Sequence, residues 1–253
     1  MTQADLLEVA VEAARRAGAV LVARYENGAR GVATKSSPTD LVSEADLEAE
    51  RTIRELLSAR RPDDGVLGEE GDDIAGTSGL RWIVDPLDGT VNYLFGIPQW
   101  CVSVACEGQV GVILDPLRDE LFTVRVGEDA LLGGAPLRGP EQRSLGTAMV
   151  ATGFGYDAEV RAAQATVVTR LLPRVRDIRR LGSAALDLAW TAAGRYDAFY
   201  EYGLNAWDRA AGEMLCRAAG LEVRDLAPLP GTGPGVLVAR PELVDELLAL
   251  VSG

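Results

Sequence analysis

The sequence holds 253 residues, with 25 Lys and Arg against 38 Asp and Glu, a formal charge of −13, and no histidine. Lacking histidine, the chain can have no His-based triad or His general base and almost no zinc hydrolase site, so chemistry falls to carboxylates, hydroxyls, cysteines or a bound metal. The acidic balance argues against non-specific binding to nucleic acid or an anionic membrane, and it would repel an anionic substrate unless metal ions locally invert the field.

A chain of this length builds one large domain or two small ones with a real core. Its hydrophobic content of 47% with 25% charged residues is that of an ordinary soluble protein. No segment approaches the roughly 18 unbroken apolar residues of a membrane span. The start, Met1-Thr2-Gln3-Ala4-Asp5, lacks the basic region and apolar run of a signal peptide. Cys101, Cys106 and Cys216 are odd in number and lack zinc spacing, so reduced thiols in a cytoplasmic protein are expected.

In chain order, Leu6, Val9, Ala13, Ala17 and Leu21 recur at helical spacing and predict an amphipathic helix over 4–25, closed near Asn27-Gly28. Lys35 to Asp40 is a turn-rich loop carrying the only lysine of the chain. A second helix is predicted from near Ser43, with Ile53, Leu56 and Leu57 on its apolar face. Ser43-x-x-Asp46 fits a capping box, so closing the helix start is a sufficient job for Asp46. Val66 to Gly68 reads as a short strand running into Glu69-Glu70, a pair that on its own is more often solvated surface.

Leu80 to Val84 reads as a buried strand, and Pro86 and Gly89 should stop it. Asp85 and Asp88 then share a tight turn at the end of a core strand, where α/β sheets place ligands. Two such anions repel unless a cation lies between them, and a hard divalent ion such as Mg²⁺ suits their oxygens. Leu87 offers no side-chain ligand, but its carbonyl could serve. The competing account is that both Asp simply bond turn amides.

After the turn, 100–106, 110–114 and 121–126 read as an antiparallel meander, with Gly133 to Pro136 as a hairpin turn. From Thr147 strands and helices alternate: strands at 148–152, 177–179, 198–201, 222–224 and 235–239, helices at 157–172, 183–193, 207–219 and 241–251. Alternation implies an α/β half. Gly133 to Gly146 is the expected seam between an N-terminal lobe, 1–138, carrying the acidic turn, and a C-terminal lobe, 139–253. The arginines at 170, 174, 176, 179 and 180 form the one basic cluster, which fits a solvated face or subunit contact better than a nucleic-acid patch, since no aromatics are interleaved. Asp208, in Trp207-Asp208-Arg209-Ala210-Ala211-Gly212, lies in a first helical turn where a negative charge is favoured. Capping alone accounts for it, but the Ala/Gly-rich helix can pack closely and point its N-terminus into a cleft.

Taken together, Glu69-Glu70 after Gly68, Asp85-Pro86-Leu87-Asp88-Gly89-Thr90 after Trp82-Ile83-Val84, and Trp207 to Gly212 resemble, in order and spacing, the motifs of the inositol monophosphatase family. Thr39-Asp40-Leu41-Val42-Ser43-Glu44-Ala45-Asp46 and Gly182-Ser183-Ala184-Ala185 match as well. The resemblance implies a layered α-β-α-β-α sandwich of the sugar phosphatase type, a mixed α/β (α+β) fold with a mixed C-terminal sheet. It implies a homodimer and a lithium-sensitive phosphatase using two or three Mg²⁺, with Mn²⁺ as a substitute. By the same resemblance Glu69, Asp85 and the Leu87 carbonyl hold the first metal, and Asp85, Asp88 and Asp208 the second. Thr90 and Asp46 orient the attacking water with Glu69 close by. Asp88, Gly89, Thr90, Ala184, Glu201 and Asp208 meet the substrate, with the amides of Gly89 and Thr90 on the phosphate and Glu201 and Ala184 on the polyol ring.

Two electropositive centres would polarise a water and stabilise the leaving alkoxide, the strong electrostatic term a slow phosphate monoester requires. The expected reaction is hydrolysis of myo-inositol-1-phosphate; fructose-1,6-bisphosphate, 3′-phosphoadenosine 5′-phosphate and histidinol phosphate are the alternative substrates, and a partner-binding regulatory role is the alternative of another class. Asn205 stands where many relatives carry histidine, and 126–138 is shorter than usual; neither touches the metal motif.

Overall fold

The N-terminal apolar stripe forms α1 (Gln3–Glu26), which buries Leu6, Val9, Ala13, Ala17 and Leu21. The computed structural model describes residues 2–26, 32–34 and 41–252. The expected helix stop at Asn27-Gly28, the loop Lys35 to Asp40 and the Ser43 side chain of the expected capping box lie outside the described residues. Two short strands that the sequence reading did not anticipate, β1 (Val32–Thr34) and β2 (Leu41–Ser43), pair antiparallel ahead of α2 (Glu44–Arg60).

Next come β3 (Gly65–Gly68), β4 (Arg81–Asp88), α3 (Thr90–Phe95), β5 (Cys101–Cys106), β6 (Val110–Asp115), β7 (Glu120–Arg125), β8 (Leu131–Leu132) and β9 (Ala135–Pro136). They make a seven-stranded sheet in the order β3-β4-β5-β6-β7-β8-β9, parallel only between β3 and β4. The meander is therefore present as expected, and Gly133-Gly134 is the turn of its last hairpin.

The C-terminal half supplies β10 (Met149–Thr152), α4 (Ala158–Leu171), β11 (Asp177–Arg179), α5 (Ala184–Ala192), β12 (Ala198–Tyr202), α6 (Ala206–Ala218), β13 (Glu222–Leu226), β14 (Gly235–Ala239) and α7 (Pro241–Val251). Its sheet runs β11-β10-β12-β14-β13 and is mixed: β10 is parallel to both β11 and β12, while β14 is antiparallel to β12 and β13.

Three apolar clusters define the layers. The first joins α1 and α2 to one face of the large sheet through Ala10, Ile53, Trp82, Val102 and Val112. In the second, α5 and α6 lie between the two sheets, with Leu186, Leu188, Ala211 and Leu215 meeting Ile113, Phe122, Phe199 and Val236. The third seals α4 and α7 on the far face through Val167, Leu171, Leu243 and Leu247. The order is helices, sheet, helices, sheet, helices. Close approach of α5 and α6 depends on Gly212, since a Cβ there would stand 2.6 Å from the Leu188 side chain. Among the described residues no helix is long and apolar enough to cross a membrane.

One local expectation is corrected. Pro86 does not end the strand at Val84; β4 continues to Asp88. Pairing with β5 moves from Asp85–Ser103 to Asp88–Cys101, three steps on one strand against two on the other, so an extra residue bulges out. A bulge tolerates proline because that residue owes no ladder hydrogen bond. The two carboxylates therefore flank the bulge, each on a residue still paired with β5. Trp82 anchors the strand beneath them, its Nε1 donating to Asp64 Oδ2 at 2.9 Å while Arg61 pairs with the same carboxylate at 2.7 Å.

Candidate active site

The β4 bulge opens onto a cleft of about 840 Å³ that is also lined by the segment after β10, the start of α4, the end of β12 and the first turns of α5 and α6. Glu69, Asp85, Leu87, Asp88, Gly89, Thr90, Ala184, Glu201 and Asp208 all line it. These residues come from both sheets and from well-separated parts of the chain.

Asp85, Asp88 and Asp208 form the centre, each offering a carboxylate oxygen within 4.8 Å of the others. Asp85 and Asp88 are buried and Asp208 half-buried. Burial raises the Asp85 carboxyl well above its ordinary value, and the charges of Glu69, Asp88 and Asp208 add to the rise. Burial and the Asp88 charge do the same to Asp208. Asp88 is lifted by burial to about 6 even though the Ser183 hydroxyl and the Ala185 amide pull it down. Glu69 stands outside the close trio, but after burial its charge is the largest influence on Asp85.

Local hydrogen bonds explain how these acids are aimed. Asp85 Oδ1 accepts the Leu87 N–H at 3.0 Å, so the turn-amide account of this residue is also true. Asp208 Oδ2 accepts the Asn205 N–H at 2.6 Å at the start of α6, so capping and a place in the cluster coexist. Asp88 Oδ2 accepts from Ser183 Oγ at 2.6 Å and from the Ala185 N–H at 2.7 Å. Ser183 is the N-cap of α5, yet its hydroxyl serves Asp88 across the sheets instead of its own helix.

Asp46 does not line the cleft. It is fully buried at the start of α2 and accepts the Thr90 hydroxyl at 2.9 Å, which links it to the cleft. Thr90 Oγ1 also lies 3.1 Å from the Leu87 carbonyl. Gly89, at φ 102, precedes Thr90; a Cβ there would meet the Gln99 carbonyl at 2.9 Å. That left-handed conformation turns the chain out of the bulge into α3, a six-residue helix pinned by Tyr93 Oη donating to the Leu21 carbonyl at 2.9 Å.

Glu201, at the end of β12, is raised to about 8 by burial, then by the charges of Asp187 and Asp88, against the pull of Arg180. At neutral pH in the metal-free protein it is therefore largely protonated and can donate as well as accept a hydrogen bond. Ala184, the first residue of α5, adds an apolar contact to the same wall.

Several contributors carried no sequence signal of their own. Glu50 of α2 is buried and accepts the Glu70 N–H at 2.7 Å, which fixes the loop bearing Glu69. Asn92 donates through Nδ2 to the carbonyls of Gln99 and Leu181, both at 2.7 Å, tying the turn to the segment that carries Ser183. The basic cluster largely dissolves into structural work: Arg170 donates to the Ser252 carbonyl at 2.7 Å beyond α7, and Arg176 to the Thr147 carbonyl at 3.2 Å. Arg180 instead lines the cleft, 5.9 Å from the centre of the Phe154 ring.

Comparison with known proteins agrees with this geometry. The family model described as "Inositol monophosphatase family" matches residues 2–251. An "Inositol-1-monophosphatase" of Mycobacterium bovis is 41% identical over 249 residues, covering 93% of this chain and 86% of that protein. A protein of Escherichia coli named "Nus factor SuhB" is 38% identical over 255 residues, covering 96% and 94%. The crystal structure of the extragenic suppressor protein suhB from Bartonella henselae superposes with a TM-score of 0.90 at 37% identity, covering 98% of each chain. With matches of that extent in sequence and in fold, the chain belongs to the inositol monophosphatase family.

Proposed function

We propose that this protein is a Mg²⁺-dependent phosphomonoesterase that hydrolyses myo-inositol-1-phosphate to inositol and inorganic phosphate. The observation that carries the reading is the convergence of Asp85, Asp88 and Asp208 within 4.8 Å at the base of a cleft. Buried like charges at that spacing oppose one another, and a divalent cation converts the repulsion into coordination. The donors are hard anionic and carbonyl oxygens with no sulfur or imidazole, a set that suits Mg²⁺ or Mn²⁺.

In this reading Glu69, Asp85, Asp88, Asp208 and the Leu87 carbonyl would hold the metal. Bound divalent ions supply a water that loses its proton near neutral pH and positive charge for the phosphoryl and leaving oxygens. The chain does the rest. The Thr90 hydroxyl has one hydrogen and two acceptors within reach, Asp46 and the Leu87 carbonyl. Once that hydrogen is committed to Asp46, the Thr90 oxygen presents lone pairs and can accept a hydrogen bond from the attacking water. Asp46 thus acts as a positioning residue, and Glu69 is the carboxylate at hand for the released proton. The amides of Gly89 and Thr90 would grip phosphate oxygens, and Glu201 and Ala184 would meet the polyol ring.

Side-by-side turnover of myo-inositol-1-phosphate, fructose-1,6-bisphosphate, 3′-phosphoadenosine 5′-phosphate and histidinol phosphate tests the reading. It expects Mg²⁺-dependent phosphate release, abolished by a chelator and fastest on the inositol ester. Equal rates on all four would end the substrate assignment, and rates unchanged by chelation would end the metal assignment. The name "Nus factor" on the E. coli relative favours a second reading, in which the fold also serves a protein partner such as the transcription machinery. Cells in which a hydrolysis-dead Asp88→Asn chain replaces the natural one would then grow normally.

A further inference from the structure

Thr152 of β10 pairs in parallel register with Tyr200 of β12, so Gly153 follows directly alongside Glu201. A Cβ built on Gly153 would stand 2.2 Å from Cδ, Oε1 and Oε2 of Glu201 alike, nearer than real Cβ atoms come. Gly153 is not among the glycines with positive φ, so its backbone conformation is open to alanine. The three heavy atoms nearest to that Cβ all belong to the Glu201 carboxylate. That carboxylate is the far end of a flexible side chain at the edge of the cleft, so it would swing away before the strand moved. The tightest demand for glycine at this position therefore concerns where the acid points.

We propose that Gly153 is a specificity-determining positioning residue: the vacant place of its side chain is where the Glu201 carboxylate rests, and this sets the height and direction at which that acid meets substrate hydroxyls. The proposal rests on the reading above that the cleft takes a phosphorylated polyol. A substrate whose hydroxyls match the resting carboxylate is selected, and an ester without hydroxyls is indifferent to it.

The test compares wild type, Gly153→Ala, Glu201→Ala and the double variant. The substrates are p-nitrophenyl phosphate and whichever phosphorylated polyol the wild type hydrolyses fastest, both with Mg²⁺. Thermal midpoints of the metal-free proteins are measured alongside. Gly153→Ala should raise KM for the polyol ester by roughly tenfold, the scale of one hydrogen bond, with a smaller change in kcat. It should leave hydrolysis of the aryl ester within about twofold. In the Glu201→Ala background the same substitution should add almost nothing, because the group it displaces is gone. Equal loss on both esters, or the same cost with and without Glu201, would overturn the proposal. So would a fall in the Gly153→Ala midpoint that Glu201→Ala does not relieve. A wild type inactive on every ester with Mg²⁺ would overturn the phosphatase reading and this inference together, whereas an active wild type with additive variants overturns this inference alone.

Discussion

Replacing Asp88 by asparagine should make the metal-free protein more stable while disabling it. Burial holds the Asp88 carboxyl at about 6 against an ordinary 3.8, despite the Ser183 and Ala185 hydrogen bonds. The folded chain therefore binds that proton more tightly than the unfolded chain. Its contribution to stability is complete below 3.8 and lost as pH rises through about 6. Keeping the group ionised at pH 8 costs about 3 kcal/mol, at about 1.4 kcal/mol for each tenfold change in proton affinity. For a chain of this size that is roughly 6–12 °C in thermal midpoint. Asparagine keeps an oxygen for Ser183 and Ala185 and carries no charge, so it escapes the cost. Scans in a chelator from pH 4.5 to 8 should show a small advantage for Asp88→Asn at the acid end that widens toward pH 8. Added Mg²⁺ should invert the order by raising the wild type and leaving the variant nearly unmoved. A variant less stable than wild type across the whole range in chelator would refute the reasoning, and would make Asp88 a structural hub for the start of α5.

Other substitutions separate roles that the geometry combines. Thr90→Val should lower kcat by roughly 10²-fold, while Thr90→Ser, which keeps the hydroxyl, should retain most of it; equal losses would mean the methyl packing matters more than the oxygen. Asp208→Asn removes a carboxylate raised by burial yet preserves an acceptor for the Asn205 amide, so turnover should fall by orders of magnitude with no drop in the metal-free thermal midpoint; loss of the fold instead would make Asp208 mainly a cap. Gly212→Val drives a side chain into Leu188 and should destabilise by about 1–3 kcal/mol or more, read as a lower denaturant midpoint with an unchanged slope.

Much of the fold was legible because its elements are strongly periodic or bounded by Gly and Pro. The helix α7 runs over the very residues anticipated, 241–251, and the hairpin at Gly133-Gly134 stands where expected. The misreadings come from tertiary effects on local rules. Pro86 reads as a strand breaker, and only the partner strand β5 decides that it occupies a bulge. The β1–β2 pair is too short to leave a period.

The acids at 85, 88 and 208 could be singled out in sequence, but what aims them could not. Ser183 as a partner of Asp88 and Glu50 as a holder of the Glu69 loop depend on contacts between residues 95 and 20 positions apart. Asp46 shows the same limit from the other side. Its place at a helix start was plain from the sequence, while its link to the cleft through Thr90 is a fact of packing.

The central claim is that Asp85, Asp88 and Asp208 gather a divalent cation at the base of the cleft. An anomalous difference map from a crystal soaked in Mn²⁺ and phosphate tests it most directly. The account predicts at least one strong peak between those three carboxylates, with phosphate density against the amides of Gly89 and Thr90. A map with phosphate bound elsewhere and no peak among the three acids at millimolar Mn²⁺ would contradict it.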